Sequence, residues 1–434
     1  MNSITVLDSL DLLDIWRVKN PNLKQFSWRQ KSPIIQSRLD YWFISTSLQD
    51  TGNSVTMQSS ISSDHSAICL SFNSSKWGKH GKSYWKFNNS LCNDTDYATQ
   101  LSANIKNWEV ELVMTEGRLA WEIMKFKIRR FTMSYAKARA QEKRKHMLDM
   151  EKTIEDLETN LDEQQNDKYC KAKAEFEKLW DEKTQGLIIR SRCNWYEMGE
   201  KNNSYFLGLE KTNKALSTVK RLTNNGDDIT DPIEINLLIK EFYRNLYAQN
   251  AVELQNDNAK QFLENMHIPK LSEESKLLCE GALTLNECYN ALQTLPGNKT
   301  PGNDGLSSEF YKTFWHLIGP LLLKSLNLSY QEGQLSTSQR QGVITLIAKK
   351  GKDKSLLTNY RPISLLNVDV KIASKSIAKR IANVLPTIIH SDQCAFVKGR
   401  YIGDAVHTVS DIMWLSRYMD NPGVLLSLVF QKNV

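Results

Sequence analysis

No stretch of the 434 residues reaches ~18 consecutive apolar positions, the length a membrane-spanning helix needs, so no membrane partner is expected. No CxxC pair or Cys/His cluster occurs among the seven cysteines, which are scattered from Cys69 to Cys394. That spacing argues against both a structural zinc site and a disulfide framework. The first twenty residues set Asp8, Asp11 and Asp14 among leucines, unlike the apolar core of a secretory leader. An intracellular setting, cytoplasm or nucleus, is the expectation, and the Asn-x-Ser/Thr triplets are read as chance. Internal repeats are absent.

Proline is missing from Glu116 to Arg192, where glycine appears only at 117 and 186. The absence of breakers marks a long helical region. Its first part, 118–145, holds ten basic and two acidic residues; its second, 149–182, holds five basic and twelve acidic. Met150, Ile154, Leu157 and Leu161 follow a 4-3-4 spacing, the seam of a coiled coil. The seam fails at Glu163–Lys168 and resumes out of phase at Ala172, Phe176 and Leu179. Two helices with a polar break are expected, either as an antiparallel hairpin or as one long helix that self-associates.

The rest of the chain has a different texture. Residues 1–72 read as short strands and turns, with β-prone runs at Ser37–Ser45 and Ser66–Phe72. Residues 73–117 are rich in Asn, Ser, Gly and Lys at their start and read as a linker. Residues 195–300 read as mainly helical, with a turn at Asn224–Asp227 and an amphipathic run at Ile235–Tyr247. Pro301–Gly305 (PGNDG) is a turn cluster, and a helix is expected over Ser307–Leu328. A β-branched run follows at Val343–Ile347. Val370–Leu385 reads as a basic amphipathic helix stopped by Pro386, and Val424–Phe430 as a buried strand.

The net charge of +7 matters less than its placement. Between 340 and 400 stand twelve basic residues against Asp353, Asp369 and Asp392. Such a block is the electrostatic footprint of a protein that binds a polyanion. Charge alone serves a solvated basic face equally well.

Particular motifs carry a resemblance. PGNDGLSSEFYK (301–312), ITLIAKKGKD (344–353), NYRPISLLNVDVKIASKSIAKRI (359–381), VLPTIIHSDQCAFVKGRYIGD (384–404) and LLSL (425–428) are together similar to the N-terminal part of the reverse transcriptase domain in non-LTR retrotransposon polyproteins of the long interspersed type. GLIIRSRCNWYEMGEKNNSYFLGLEKTN (186–213) resembles the helical extension before that polymerase. DIWRVKNPNLKQFSW (14–28), SRLDYWFIS (37–45) and SDHSAICL (63–70) resemble the final strands of the apurinic-type endonuclease that those polyproteins carry.

The resemblance implies a helix-rich α+β chain in five parts. These are an endonuclease C-terminal remnant of a β sandwich (1–72), a linker (73–117) and a helical, coiled-coil-like connector (118–215). A helical extension (216–295) and a truncated reverse transcriptase domain (296–434) follow, the last holding the fingers and the start of the palm of a right-hand polymerase. Asp40, Asp64 and His65 fall on the catalytic positions of the endonuclease that remain. Lys349 and Arg361 fall where the family places cations against the phosphates of the incoming nucleotide. Arginine offers a bidentate fork there and lysine a point charge. Lys350, Gln393, Phe396, Lys398, Gly399 and Arg400 fall on the nucleic-acid side of the same subdomain. RNA and DNA are the implied partners, bound without sequence preference through 340–400.

Intact relatives are expected to use Mg²⁺ held by palm carboxylates. Here Val429 stands at the first carboxylate position, and no Tyr-x-Asp-Asp occurs in the 434 residues. No productive metal site, and no catalysis by this chain alone, is expected. Alternative roles are a co-opted RNA-binding protein or a coiled-coil interaction protein.

Overall fold

A computed structural model describes residues 11–31, 33–49, 54–58, 64–71, 84–159, 166–191, 218–224, 226–248 and 269–426. The chain forms two compact units, each from two separated stretches: 1–82 with 136–218, and 83–135 with 219–434. The protein is helix-rich with small antiparallel sheets. Among the described residues no helix is long and apolar enough to cross a membrane.

The first unit begins with β1 (Leu12–Asp14), α1 (Ile15–Lys19), β2 (Trp28–Lys31), β3 (Ile34–Ser37), β4 (Phe43–Ser45), β5 (Ser54–Gln58) and β6 (Ala67–Ser71). The strands pair as three antiparallel couples, β1–β4, β2–β3 and β5–β6. Ser37–Ser45 is thus not one strand. The polar Arg38–Asp40 turn divides it, with the backbone N–H groups of Leu39 and Asp40 bonded to Ser27 Oγ at 2.9 and 3.0 Å. Ile15, Trp16, Ile44, Val55 and Met57 form a small core.

The same unit holds part of a helical hairpin. Helix α3 (Gly117–Thr159) and helix α4 (Asn166–Ser191) flank the expected polar break. Met147, Met150, Ile154 and Leu157 pack on Tyr169, Ala172, Phe176 and Trp180 of the same chain. Lys143 Nζ meets Glu182 at 3.0 Å near the far end of the pairing, so the two arms run antiparallel. Leu161 of the expected seam lies outside the described residues, as does most of the 186–213 motif.

In the second unit, the described part of the expected 73–117 linker carries regular structure. Helix α2 (Thr95–Glu111) buries Tyr97, Leu101 and Ile105. Their spacing of four places them on one stripe. Asp94 caps the helix through Tyr97 N. Asn and Ser at 88–94 serve as turn and cap residues rather than as a loose tether. The stripe faces helix α8 (Ser308–Gln331): Tyr97 meets Phe314 edge-on at 6.1 Å, and Phe87 meets Phe310 at 5.1 Å.

Between these lie β7 (Leu222–Asn224), β8 (Asp227–Ile229), α5 (Pro232–Tyr247), α6 (Glu273–Cys279) and α7 (Leu285–Gln293). The Asn-Gly turn closes a hairpin, with Asn224 opposite Asp227 and Gly226 at φ +96°. That left-handed backbone favours glycine. Strands β9 (Gly342–Ala348) and β10 (Tyr360–Leu366) then pair antiparallel, and α9 (Val368–Ile388) and α10 (Ile402–Tyr418) close the unit.

Helix α9 runs through Pro386 instead of stopping before it. Proline lacks the N–H that would bond the preceding turn, a loss tolerated near a helix end. The terminal carbonyls gain another donor: Arg400 reaches Ile389 O at 2.7 Å and also the carbonyls of Pro386 and His390. Val424, Leu425 and Leu426 are exposed and in no strand, so the described part of Val424–Phe430 is not the buried strand expected. Val429 lies outside the described residues.

Candidate nucleic-acid interface and the Asp40–His65 pocket

In the second unit, the β9–β10 hairpin sets its two faces to different uses. Leu346, Ala348 and Tyr360 pack on Leu222, Ile235 and Leu357. Side chains alternate along a strand, so Arg361, cross-strand from Ile347, takes the opposite face. That face is open: Ile347 is 52% exposed and Ile363 41%. Arg361 is exposed, and its guanidinium has no hydrogen bond or ion pair among the described residues. Lys349 stands just past β9, where its N–H bonds Asn359 O at 2.8 Å and its Nζ bonds Thr358 O at 2.9 Å. Lys350 is exposed in the adjoining turn. The hairpin therefore gathers Lys349, Lys350 and Arg361 at one end.

The loop after α9 carries the other expected contacts. Phe396 is fully exposed at φ +63°, and Gly399 follows at φ +81°. Gln393 is exposed, and Lys398 Nζ bonds Asn383 Oδ1 at 3.3 Å. Arg400 is committed to main-chain carbonyls, including Gln393 O at 3.0 Å. It shapes this loop, with its charge spent on the end of α9. Arg380 is spent likewise: it forms a bidentate pair with Glu287 at 2.6 and 2.8 Å. That guanidinium holds the Glu287 carboxyl down at about 2. Two of the twelve cations between 340 and 400 thus serve the fold rather than a ligand.

Sequence reasoning missed a buried polar cluster within this unit. Asp369, fully buried at the start of α9, accepts from Trp121 Nε1 at 2.8 Å, Lys125 Nζ at 3.0 Å and Gln339 Nε2 at 3.3 Å. Lys125 also reaches Ser338 Oγ. Glu122 accepts from the Oγ atoms of Ser336 and Ser338 at 2.5 and 2.8 Å. Trp121, Lys125, Ile128 and Thr132 share one helical stripe and are buried together. The signal available in the sequence was a lysine in a core register.

Asp304, in the PGNDG turn, completes the cluster. Its Oδ1 accepts from Leu306 N at 3.0 Å, while its Oδ2 is buried without a partner. Burial pushes its carboxyl up to about 7; the Asp369 charge adds to the rise and Lys125 opposes it. Between the unfolded value near 4 and the folded value, the native state keeps a proton that the unfolded chain has lost. Stability from this group is therefore present below that window and declines as pH rises through it. Asp304→Asn should flatten that part of the profile. Thermal unfolding at about pH 5 and about pH 8 checks it: the variant should gain on the wild type at the higher pH. A parallel offset at both would refute it.

In the first unit, two of the three expected endonuclease residues, Asp40 and His65, are in contact, and Asp64 turns to Trp28. His65 Nδ1 and Asp40 Oδ2 are 2.8 Å apart, and Asp64 Oδ2 accepts from Trp28 Nε1 at 2.8 Å. Ser27 is the post behind them. Its Oγ takes the Asp40 N–H, and its carbonyl takes the Ser66 N–H at 2.5 Å. Asp40, Tyr41, Trp42, His65, Ser66, Ala67 and Ile68 line an open pocket of about 370 Å³. The hydrogen bond to Asp40 raises the His65 pKa against its partial burial, and the charges of Asp40 and Asp64 add to the rise. Burial lifts Asp40, but its bonds to His65 and Ser27 outweigh this and hold it below the ordinary carboxylate value.

An imidazole that donates Nδ1–H to a carboxylate leaves Nε2 as an acceptor, the arrangement of a general base. Among the described residues no three His, Cys, Asp or Glu side chains converge. The two aspartates are engaged by His65 and Trp28.

Hairpin, loop and pocket sit on a helix-rich α+β protein whose small sheets carry its exposed polar sites. No family model matches the chain. It is similar to the Transposon TX1 uncharacterized 149 kDa protein of Xenopus laevis, at 29% identity over 429 residues. That similarity covers 97% of this chain and 32% of the relative, so the chain spans about a third of the length of the curated protein it matches.

Proposed function

We propose that the chain is a piece of a non-LTR retrotransposon polyprotein. It holds nucleic acid through the fingers of a reverse transcriptase and carries the rear strands of an endonuclease beside them in sequence. The observation that carries this reading is the placement of Arg361. An arginine on an open strand face, with no protein partner among the described residues and Lys349 and Lys350 at the same hairpin end, suits phosphate recognition. The exposed ring of Phe396, next to Lys398 in sequence, suits stacking on an unpaired base. Similarity to a transposon protein along nearly the whole chain supports the same reading.

Neither polymerisation nor DNA cleavage is assigned to this chain by itself. Val429 offers no side-chain oxygen to a metal, and no third His, Cys, Asp or Glu converges on the Asp40–His65 pair among the described residues. The Asp40–His65 pair then stands as the part of the nuclease that orients or deprotonates water.

Fluorescence anisotropy with labelled single-stranded RNA and an RNA–DNA hybrid tests the binding. Phosphate contacts release counterions, so affinity should fall steeply from low to high salt. Arg361→Ala should weaken binding by roughly 3- to 10-fold and reduce the salt slope by about one. Salt-insensitive binding, or an unchanged slope in the variant, would defeat the proposal.

A further inference from the structure

The last turn of α3 meets β2 and β3, which stand beside the Asp40–His65 pair, all within the first unit. Glu158, in the last turn of α3, is almost fully buried. Its Oε2 lies 2.9 Å from Arg29 Nη2, and its Oε1 accepts from Tyr169 Oη at 3.0 Å. Its backbone carbonyl accepts from Gln36 Nε2 at 3.3 Å. Arg29 and Gln36 are directly opposite each other on β2 and β3. One cross-strand pair therefore grips one helical residue by both its carboxylate and its main chain.

Arg29 also holds the residues on either side of His65. Its N–H bonds Asp64 O at 2.9 Å, and its Nη1 bonds Ser66 Oγ at 2.7 Å. Trp28, its neighbour, bridges to His65 through the backbone. The Arg29 Nε is buried without a partner, so the two Nη atoms carry the anchorage. The chain of contacts runs Tyr169, Glu158, Arg29, Ser66, with His65 between the two points that Arg29 fixes.

We propose that the hairpin tip is a positioning element for the Asp40–His65 pair, with Glu158 acting through Arg29 to hold His65 against its carboxylate. The hairpin thereby controls whether the pocket is set for proton transfer. A ligand or partner that pulls the hairpin away would relax the pair, and one that braces it would sharpen the pair. The inference rests on reading Asp40–His65 as a reactive pair, but its structural content is measurable without any cleavage assay.

Two effects give the direction. When Glu158 loses its charge, Arg29 is left partly buried and without that partner, with Ser66 and the Asp64 carbonyl beside His65 still among its contacts. A guanidinium turned toward Asp64 or Asp40 disfavours protonated His65. Release of Ser66 loosens the 2.8 Å contact that raises the imidazole. Both lower its proton affinity.

The test is a pH titration of His65 by NMR on the full chain with isotope-labelled histidine. In Glu158→Gln the His65 midpoint should fall by about half a pH unit or more, while the other histidines stay put. Tyr169→Phe removes a single hydroxyl and should move the same midpoint less, in the same direction. It remains informative if Glu158→Gln fails to fold. Asp40→Asn supplies the control for the pair itself and should lower the midpoint whatever the hairpin does. A His65 midpoint unmoved in folded Glu158→Gln and in Tyr169→Phe overturns the positioning role. A midpoint unmoved in Asp40→Asn would instead refute the reading of the pair.

Discussion

Lys125→Met should destabilise the second unit by about 3–5 kcal/mol, the usual cost of leaving a buried charge without its partner. Lys125 reaches Asp369 at 3.0 Å from a side chain only 5% exposed, and Asp369 is at 0%. Methionine matches the length and apolar body of lysine, so packing against Trp121 and Ile128 is kept. What disappears is the cation among Asp369, Asp304 and Glu122. The Lys125 pKa is raised even though burial lowers it, because Asp369, Asp304 and Glu122 together overcome that penalty. Denaturant unfolding followed by tryptophan fluorescence measures the loss. A change within about 0.5 kcal/mol, the range of ordinary surface substitutions, would show that the cluster is dispensable. Pairing Lys125→Met with Asp369→Asn should recover part of the loss, since neither member then carries an unmatched charge.

Gly302→Ala should be nearly as damaging, by about 3 kcal/mol, through backbone overlap. A Cβ at 302 would collide with Asn367 Oδ1 and lie 2.5 Å from Asn367 N and 2.6 Å from Leu366 C. The neighbours are main chain at the β10–α9 junction and cannot swing aside. Asn367 is fully buried, and its side chain donates to Ser338 O at 2.9 Å and accepts from Asp304 N at 3.3 Å. The turn and the junction must therefore move together. Gly351→Ala gives the contrast. Gly351 has a φ of +72°, which Gly302 lacks, but nothing lies within 4 Å of the added atom, so only backbone strain of about 1 kcal/mol is expected. Equal melting temperatures for the two alanine variants would refute the steric account.

Local pattern revealed those parts of the fold that are local. The helical hairpin was legible because its seam and polar break lie within fifty or so consecutive positions, and the Asn-Gly turn because a left-handed backbone selects its residues. The β9 strand announced itself as a β-branched run ending at Lys349. The role of 84–135 was not legible. Its attachment depends on Trp121 and Lys125 meeting Asp369, partners 248 and 244 residues apart, and no periodicity encodes such a pairing. Pro386 misled for a related reason: the donor that repairs the helix end, Arg400, comes from the next loop.

The candidate sites divide the same way. Asp40, Asp64 and His65 were picked out by motif, and the fold pairs Asp40 with His65 while Asp64 bonds Trp28. Ser27, Arg29 and Glu158 were not singled out, because nothing in their local sequence distinguishes a structural serine or a paired arginine. Among the cations, composition alone could not separate Arg361, which faces outward, from Arg380 and Arg400, which hold the protein together.

The interleaving of the two units has a practical result for anyone cutting the gene. No single uninterrupted fragment holds either unit alone. A fragment starting at 219 would keep the β9–β10 hairpin yet strip Asp369 of its tryptophan and lysine donors. A fragment ending at 82 would keep Asp40 and His65 yet lose Glu158. The better surgery is an internal one: excise 136–218, rejoin the ends with a flexible bridge, and the second unit retains Trp121, Lys125, Asp304 and Asp369 together.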